Sequence, residues 1–171
     1  DFLPAKRRTR STTDKNRRPR SLTQLAHNVI RRIVRPGDTV IDATAGNGND
    51  THFLATLVGT TGYTIAIDIQ QSAINAASER LTDSGLTADF RLADHARVLE
   101  CLKRSGLAVR AVMFNLGYLP GSDKQITTTG TSTQTAIQCA CELLSPGGAV
   151  TIIAYRGHAG GLEETLLVEQ L

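Results

Sequence analysis

Residues 39–50 read TVIDATAGNGND, a short β-branched run followed directly by a loop with two glycines. The run at 39–43 predicts a buried strand, and residues 50–58 have the apolar spacing of an amphipathic helix. Gly46 and Gly48 let the backbone turn tightly and approach a ligand, and the following helix start presents free N–H groups to a carboxylate or phosphate. This unit predicts a ligand loop in an α/β fold, with a purely structural turn as the alternative.

The rest of the chain continues the alternation of helix and strand. Helices are predicted at 21–34, 71–84, 95–104, 131–144 and 160–171, and strands at 64–69, 88–93, 110–115 and 149–155. Apolar strands separated by helices are typical of a parallel sheet covered on both faces. The predicted fold class is therefore α/β, a doubly wound, Rossmann-like, mostly parallel sheet.

Composition excludes several classes of protein. The 171 residues are 40% hydrophobic and 20% charged, as in an ordinary soluble globular domain. No apolar run approaches the roughly 20 residues of a membrane span, and the first residues do not form the apolar h-region of a secretory signal, so no membrane partner is expected. The three cysteines form no CxxC pair and no zinc spacing, which predicts reduced thiols and no metal site.

Charge is divided unevenly along the chain. Residues 1–35 contain eleven Lys/Arg and two Asp, a net charge of +9, and the remainder contains eight Lys/Arg and fourteen Asp/Glu, a net charge of −6. The segment KRRTRSTTDKNRRPR, residues 6–20, has almost no apolar side chains, and residues 1–20 are predicted to be a basic disordered arm before a folded domain at 21–171. The arm could attract RNA, act as a solubilising tail or be an organellar transit peptide. A cytoplasmic location is expected, with an organelle as the alternative.

Polar residues follow the predicted strands at the edge where open α/β sheets bind ligands. Asp42 opens the glycine loop and is, with Gly46, a predicted cofactor-binding residue. Asp68 ends the second strand, where a carboxylate can accept both hydroxyls of a ribose. Gln70 lies just beyond it, and Asp94 with His95 could meet an adenine edge after the third strand. The ribose contact is common to NAD and S-adenosylmethionine. A helix cap is the alternative for Asp68, and a capping or solvated role for His95.

The fourth strand ends in FNLGYLP, residues 114–120. The Asn115 carboxamide oxygen can accept an N–H of an incoming amine, and backbone carbonyls such as that of Gly117 offer a second acceptor. Tyr118 can stack on a planar base, as in the Asn-Pro-Pro-Tyr element of amino-directed methyltransferases, which this stretch resembles. A turn in which Asn115 bonds only to local backbone is the alternative.

Methyl transfer from a sulfonium donor would explain these residues without a strong base. The methyl is already electrophilic, so acceptors that aim a neutral amine lone pair suffice. Asn115 and Tyr118 are therefore the predicted catalytic residues. Lys124 could contact a phosphate, and Tyr155 and His158 after the fifth strand could stack on bases or hold phosphate.

Four stretches together resemble the YtqB family of rRNA methylases: DATAGNGND, DIQQSAI, FNLGYLPGSDK with its ITTTGTST continuation, and AYRGHAGG. The match runs from about residue 22 to residue 164. It implies a class I S-adenosylmethionine-dependent methyltransferase that methylates the amino nitrogen of 5-aminomethyl-2-thiouridine at the tRNA wobble position. The cofactor residues implied by the resemblance are Asn47, Asn49, Asp68, Gln70, Asp94 and His95.

This sequence departs from the family at two positions, and the resemblance also implies binding partners. The family often has His where Asn49 stands and Ser where Asp94 stands. Its members continue into a final antiparallel pair of strands, which is expected to be missing from this chain. The expected partner is RNA, in particular the tRNA anticodon stem-loop, and a homodimer is the assembly considered.

Four other functions are alternatives. The methyl acceptor could be rRNA or a small-molecule amine. A nicotinamide-dependent dehydrogenase fits the first two strands, but Thr51 stands where its fingerprint needs a third glycine, and FNLGYLP then has no role. A non-catalytic RNA-binding module would leave the cofactor loop without a function.

Overall fold

The structure, a computed structural model, describes residues 21–117, 130–155 and Leu166. Within these residues, one sheet contains five parallel strands: β1 (Thr39–Asp42), β2 (Tyr63–Asp68), β3 (Asp89–Leu92), β4 (Val109–Leu116) and β5 (Leu144–Ala154). The helices are α1 (Leu22–Ile33), α2 (Asn49–Val58), α3 (Gln71–Asp83), α4 (His95–Arg104) and α5 (Gly130–Leu143), with a 3₁₀ turn at Gly59–Thr61. The predicted doubly wound α/β class is confirmed.

The order of the strands defines where a ligand would bind. The strands lie in the order β3-β2-β1-β4-β5. β2 and β3 are added in turn on one side of β1, and β4 and β5 are added in turn on its other side. The direction reverses between β1 and β4, and the helices that follow these two strands, α2 and α5, pack on opposite faces of the sheet. Such a reversal opens a crevice at the carboxyl ends of the two central strands.

Apolar side chains form a core on each face of this sheet. The larger cluster includes Ile41, Ile67, Val112 and Phe114, and residues of α4 and α5 pack against them. The second cluster joins α1 and α2 to the opposite face through residues such as Ile30, Leu54, Val40 and Met113. Burial on both faces explains why neighbouring positions, such as Val40 with Ile41 in β1 and Val112 with Met113 in β4, are both apolar.

Helix α1 crosses the sheet from its carboxyl edge to its amino edge. Ser21 and Gln24 form a reciprocal capping box that starts the helix. At the other end, the Ile33 carbonyl accepts a 3.1 Å hydrogen bond from Nε of Arg110, near the beginning of β4. The amino terminus of α1 therefore lies on the carboxyl side of the sheet.

The fifth strand begins earlier than the predicted 149–155. Leu144 already pairs with Val109, and the ladder shifts register before Ala149 pairs with Ala111, so the Ser-Pro-Gly-Gly segment is an irregularity within β5. Among the described strands β5 is an edge, where a proline without an N–H is tolerated. The Pro146 carbonyl also accepts a 2.6 Å hydrogen bond from Arg110. The helix predicted at 160–171 lies outside the described residues, apart from Leu166.

The glycine before α2 is required by packing as well as by backbone geometry. Gly48 has φ +76°, and a Cβ there would lie 2.6 Å from Cα of Ala77 on α3. Gly85 is a matched control, because it has φ +67° but nothing within 4 Å of its Cβ position. Gly85→Ala is expected to cost about 1 kcal/mol from conformation alone, and Gly48→Ala at least about 2 kcal/mol more. Urea unfolding measures both, and equal losses would contradict the packing account.

Candidate active site

Asp68 fastens the glycine loop to the end of β2. One carboxylate oxygen accepts the Gly46 N–H and the other accepts the Gln70 N–H, both at 2.9 Å. Each oxygen keeps a second lone pair, so two acceptor positions remain. The half-buried carboxylate therefore has the bonding capacity that two ribose hydroxyls need. It does not cap α3, whose cap position is Gln70.

The loop between β1 and α2 presents its asparagine side chains to solvent. Asn47 and Asn49 are exposed, whereas Gly48 between them is buried against α3. The Asn47 carbonyl accepts a 2.8 Å hydrogen bond from Nε of Arg80, which ties the loop to α3. The backbone is thus fixed while both predicted cofactor-binding side chains remain accessible.

Asp42 is fully buried beneath this loop. Its carboxylate accepts the Thr44 N–H at 3.1 Å and the Thr51 hydroxyl at 2.6 Å. Burial, followed by the negative charge of Asp50, raises the pKa of Asp42 to about 7. The carboxyl group braces the loop from inside, and its predicted contact with a cofactor stays a prediction.

The raised pKa of Asp42 makes stability depend on pH. Because the pKa is 3.8 in the unfolded reference and about 7 in the fold, the folded state keeps a proton that the unfolded state loses between these values. This contribution is fully present below about pH 4 and lost as pH rises through about 7, with a slope of at most about 1.4 kcal/mol per pH unit.

Asp42→Asn tests this dependence, because the amide can accept from Thr44 and donate to Thr51 without titrating. Urea unfolding of both proteins from pH 4.5 to 7.5 is expected to show that the stability difference between them grows in favour of the variant as pH rises. A difference that stays constant with pH would contradict the titration of Asp42.

The end of β3 is occupied by a helix cap. Asp94 accepts the Ala96 and Arg97 N–H groups with one oxygen, and the Ser132 hydroxyl at 2.6 Å with the other. Burial raises the pKa of Asp94, but the Ser132 bond, the nearby His95 and the two backbone N–H groups outweigh it, and the net shift is downward. This contact joins the start of α4 to the start of α5.

His95 turns away from solvent. It is the first residue of α4, is 5% exposed, and packs edge-on against Phe114 with ring centroids 5.8 Å apart. It is therefore not the solvated histidine considered from the sequence. The predicted adenine contacts of Asp94 and His95 stay predictions.

Asn115 lies near the carboxyl end of β4, facing α2. Its backbone N–H donates to the Thr44 hydroxyl at 2.7 Å, which links the end of β4 to the loop after β1. Its side-chain Nδ2 lies 3.4 Å from Oδ2 of Asp50, 65 positions earlier in the chain. The side chain thus bonds across the switch point, and the alternative of a purely local turn does not describe it.

Two residues of this neighbourhood were missed by the sequence analysis. Asp50, in the first turn of α2, is 6% exposed and accepts from both Asn115 and His27. Nε2 of His27, on α1, lies 2.6 Å from Oδ1 of Asp50. An acidic residue on the buried side of an amphipathic helix needs a partner, and that signal could have pointed to Asp50.

The remaining predicted site residues divide into two groups. Gly117, half-buried, follows β4, and Tyr155, which is 48% exposed, follows β5, where its N–H donates to the Leu116 carbonyl at 3.3 Å. The structure thus brings both to the edge that carries Asn115. Tyr118, Lys124 and His158 lie outside the described residues.

Two exclusions apply to the part of the chain that the structure describes. It contains no helix with the length and apolarity needed to cross a bilayer. Nor does it contain a cluster of His, Cys, Asp and Glu side chains suited to a metal ion.

The strand order is 3-2-1-4-5, with a glycine loop after β1, an acidic residue at the end of β2 and a carboxamide near the end of β4. These features define a Rossmann-like α/β domain of the methyltransferase type. The chain belongs to the family described as "Putative rRNA methylase", whose model matches residues 64–171. The family predicted from the sequence motifs is confirmed.

Relatives with known names and structures agree with this assignment. The chain is 40% identical to the Arabidopsis thaliana "tRNA (mnm(5)s(2)U34)-methyltransferase, chloroplastic" over 86% of its own length, and the match spans 57% of that relative. A crystal structure of a "putative rRNA-methylase" from Clostridium thermocellum matches with TM-score 0.84 and 40% identity, covering 90% of this chain and 82% of that one. A "putative methyltransferase" from Streptococcus mutans in complex with SAH matches with TM-score 0.78 and 30% identity, covering 90% and 81%.

Proposed function

We propose that this protein is an S-adenosylmethionine-dependent RNA methyltransferase that N-methylates the aminomethyl group of 5-aminomethyl-2-thiouridine at the tRNA wobble position. The observation that carries the proposal is the Asn115 carboxamide, placed near the carboxyl end of β4 beside the loop that Asp68 holds. The name of the Arabidopsis relative supports the substrate. The family membership supports the reaction.

The residues at the sheet edge suit S-adenosylmethionine. Asp68 retains two acceptor positions for ribose hydroxyls, and Gly46, Asn47 and Asn49 surround the place where the loop approaches a ligand. Gln70, Asp94 and His95 are the proposed adenine-side residues. The bound cofactor supplies an electrophilic methyl group on sulfur. The SAH complex of the Streptococcus mutans relative supports this choice.

A nicotinamide cofactor fits less well. The position of the third fingerprint glycine is filled by Thr51, a fully buried residue whose hydroxyl donates to Asp42. A dehydrogenase would also leave Asn115 without a task.

Asn115 would act by aiming the acceptor amine. Its carboxamide oxygen accepts an N–H of the neutral amine, which directs the nitrogen lone pair away from Asn115 and toward the cofactor side of the crevice. A carbonyl such as that of Gly117 provides a second acceptor. Tyr118 is the proposed stacking partner of the base. Because the donor methyl is already activated, orientation supplies most of the rate and no strong base is required.

RNA recognition is proposed to depend on charge near the same edge. The amino terminus of α1 lies on the carboxyl side of the sheet, so the basic segment 1–20 joins the domain 21–171 on the side of the site. Positive charge there raises the rate of encounter with a polyphosphate. The proposed RNA contacts are Lys124, Tyr155 and His158. The proposed RNA is the tRNA anticodon stem-loop, and the proposed assembly is a homodimer. The chloroplastic relative favours the organellar alternative for the compartment.

Transfer of a labelled methyl group tests the proposal. The protein is incubated with S-adenosylmethionine carrying a labelled methyl and with tRNA lacking the final methylation, with rRNA, or without RNA. Label is expected in the tRNA fraction only. Incorporation without RNA, or in none of the fractions, would contradict the proposal.

An rRNA acceptor is the second candidate, and the description of the family favours it. The same site would serve, because Asn115 recognises an amine and not the fold of the RNA that carries it. Label confined to the rRNA fraction would establish this alternative in place of tRNA.

A further inference from the structure

We propose that Asp50 and His27 are positioning residues that fix and polarise the Asn115 carboxamide, so that its oxygen faces the acceptor amine. This inference rests on the proposed function, since it assigns a task to residues behind the amine-binding group. No covalent step is assigned to either residue.

The chemistry of the Asp50–Asn115 contact decides the orientation of the amide. An ionised carboxylate only accepts hydrogen bonds, so the NH₂ group of Asn115 must face Oδ2 of Asp50, as the 3.4 Å separation has it. The amide oxygen then points the other way. Without a fixed acceptor behind it, a carboxamide can rotate by half a turn and present donors to a substrate that needs an acceptor.

The charge of Asp50 adds to this geometric effect. An amide whose N–H donates to a carboxylate is polarised, and its oxygen becomes a stronger acceptor. During methylation the nitrogen–carbon bond forms as the carbon–sulfur bond breaks with its electron pair going to sulfur, and positive charge develops on the amine until a proton leaves to solvent. A polarised amide oxygen beside that nitrogen stabilises the developing charge.

Asp50 is in turn held by α1. Its other oxygen lies 2.6 Å from Nε2 of His27, and the His27 ring is stacked on Phe53 at 3.8 Å with an angle of 3° between the planes. The guanidinium carbon of Arg31 lies over the Phe53 ring, 5.2 Å from the ring centroid. Flat stacking fixes the imidazole plane, so the histidine offers its N–H along one direction.

The cost of burying Asp50 beside Asp42 argues that its contacts with His27 and Asn115 have a function. Asp50 is 6% exposed and close enough to the fully buried Asp42 for its charge to raise the pKa of that carboxyl. Two neighbouring buried carboxyl groups oppose each other and destabilise the fold. Asp50 is faced by His27 from α1 and by Asn115 from β4. These two contacts offset part of the cost, and Asn115 is the residue proposed to bind the amine.

Asp50→Asn tests the inference with little change in shape. We expect kcat to fall about tenfold to a hundredfold while the Kd for S-adenosylhomocysteine stays within about twofold, because the amide orientation is lost and the cofactor contacts are not. Asp89→Asn is the matched control, a carboxylate on β3 that bonds to Tyr63 and Arg91, and it should leave kcat unchanged. Equal kcat values for wild type and Asp50→Asn would overturn the inference.

His27→Phe separates positioning from packing, since phenylalanine keeps the ring stack but has no N–H. It is expected to lower kcat by less than Asp50→Asn, and the double variant should be no slower than Asp50→Asn, because both changes act through one carboxylate. His52→Phe, on α2, replaces a histidine bonded to Ser84 and controls for the substitution. Additive losses in the double variant would contradict a shared path through Asp50.

A readout without turnover distinguishes this inference from the proposed function. In an NMR spectrum, the side-chain amide signal of Asn115 is expected to shift in Asp50→Asn and in His27→Phe but not in Asp89→Asn or His52→Phe. An unchanged signal in both site variants would overturn the inference whether or not the protein methylates RNA. A shifted signal in a protein that transfers no methyl group would refute only the proposed function.

Discussion

Asn115→Ala is expected to abolish methyl transfer while leaving cofactor binding intact. The alanine removes the side-chain acceptor that β4 delivers near its carboxyl end, so the amine is expected to lose its orientation and not its access to the site. The contacts of the loop with Asp68 are formed by other residues and should remain. A loss of at least about a hundredfold in kcat, or about 2.7 kcal/mol of transition-state stabilisation, is expected.

Single-turnover assays with labelled cofactor and calorimetry with S-adenosylhomocysteine measure the two parts of this result. Asn75→Ala is a suitable control, because it deletes a carboxamide from the exposed face of α3. Turnover of Asn115→Ala within about tenfold of wild type, worth only about 1.4 kcal/mol, would mean that Asn115 does not hold the amine.

Asp68→Ala is expected to have the opposite profile, with cofactor affinity lost first. The substitution removes both acceptors for ribose hydroxyls, and it also releases the Gly46 N–H from its 2.9 Å bond and so loosens the loop. Two hydrogen bonds to a charged group correspond to at least about 2 kcal/mol, or roughly a thirtyfold increase in Kd.

Calorimetry with S-adenosylhomocysteine is expected to rank the affinities as wild type, then Asp68→Asn, then Asp68→Ala. The asparagine variant retains one acceptor and should bind with intermediate affinity. Asp89→Ala, a carboxylate lost from the neighbouring strand at a distance from this edge, should bind like wild type. Unchanged affinity in Asp68→Ala would remove this residue from the cofactor site.

The order of helices and strands was predictable because local periodicity determined it. Most of the predicted strands were largely apolar, although the third contains Asp89 and Arg91, and helices had turn-forming residues at their ends, such as Gly85 after α3 and Pro36 after α1. The exception was the start of β5. Proline and two glycines are the ordinary sign of a turn, and only the pairing of Leu144 with Val109 and the anchoring by Arg110 place them within the strand.

The site was predictable as a list of strand-end residues but not as a set of contacts. Asp68 and Asn115 stand at strand ends, where their polarity is visible against apolar neighbours. Asp50 and His27 are spread over two helices, and their link depends on α1 crossing the face beside α2, a tertiary arrangement that no local pattern records. The solvated role considered for His95 does not match its burial, because polarity in a sequence does not reveal which way a first-turn side chain faces.

Nucleoside mass spectrometry identifies the nucleoside and the atom that receive the methyl group. tRNA carrying 5-aminomethyl-2-thiouridine is incubated with the protein and labelled S-adenosylmethionine, then digested to nucleosides, with Asn115→Ala in parallel. We expect the label in 5-methylaminomethyl-2-thiouridine with wild-type protein and no label in that nucleoside with the variant. Label on a base carbon or a ribose oxygen, or label in the same nucleoside with both proteins, would contradict it.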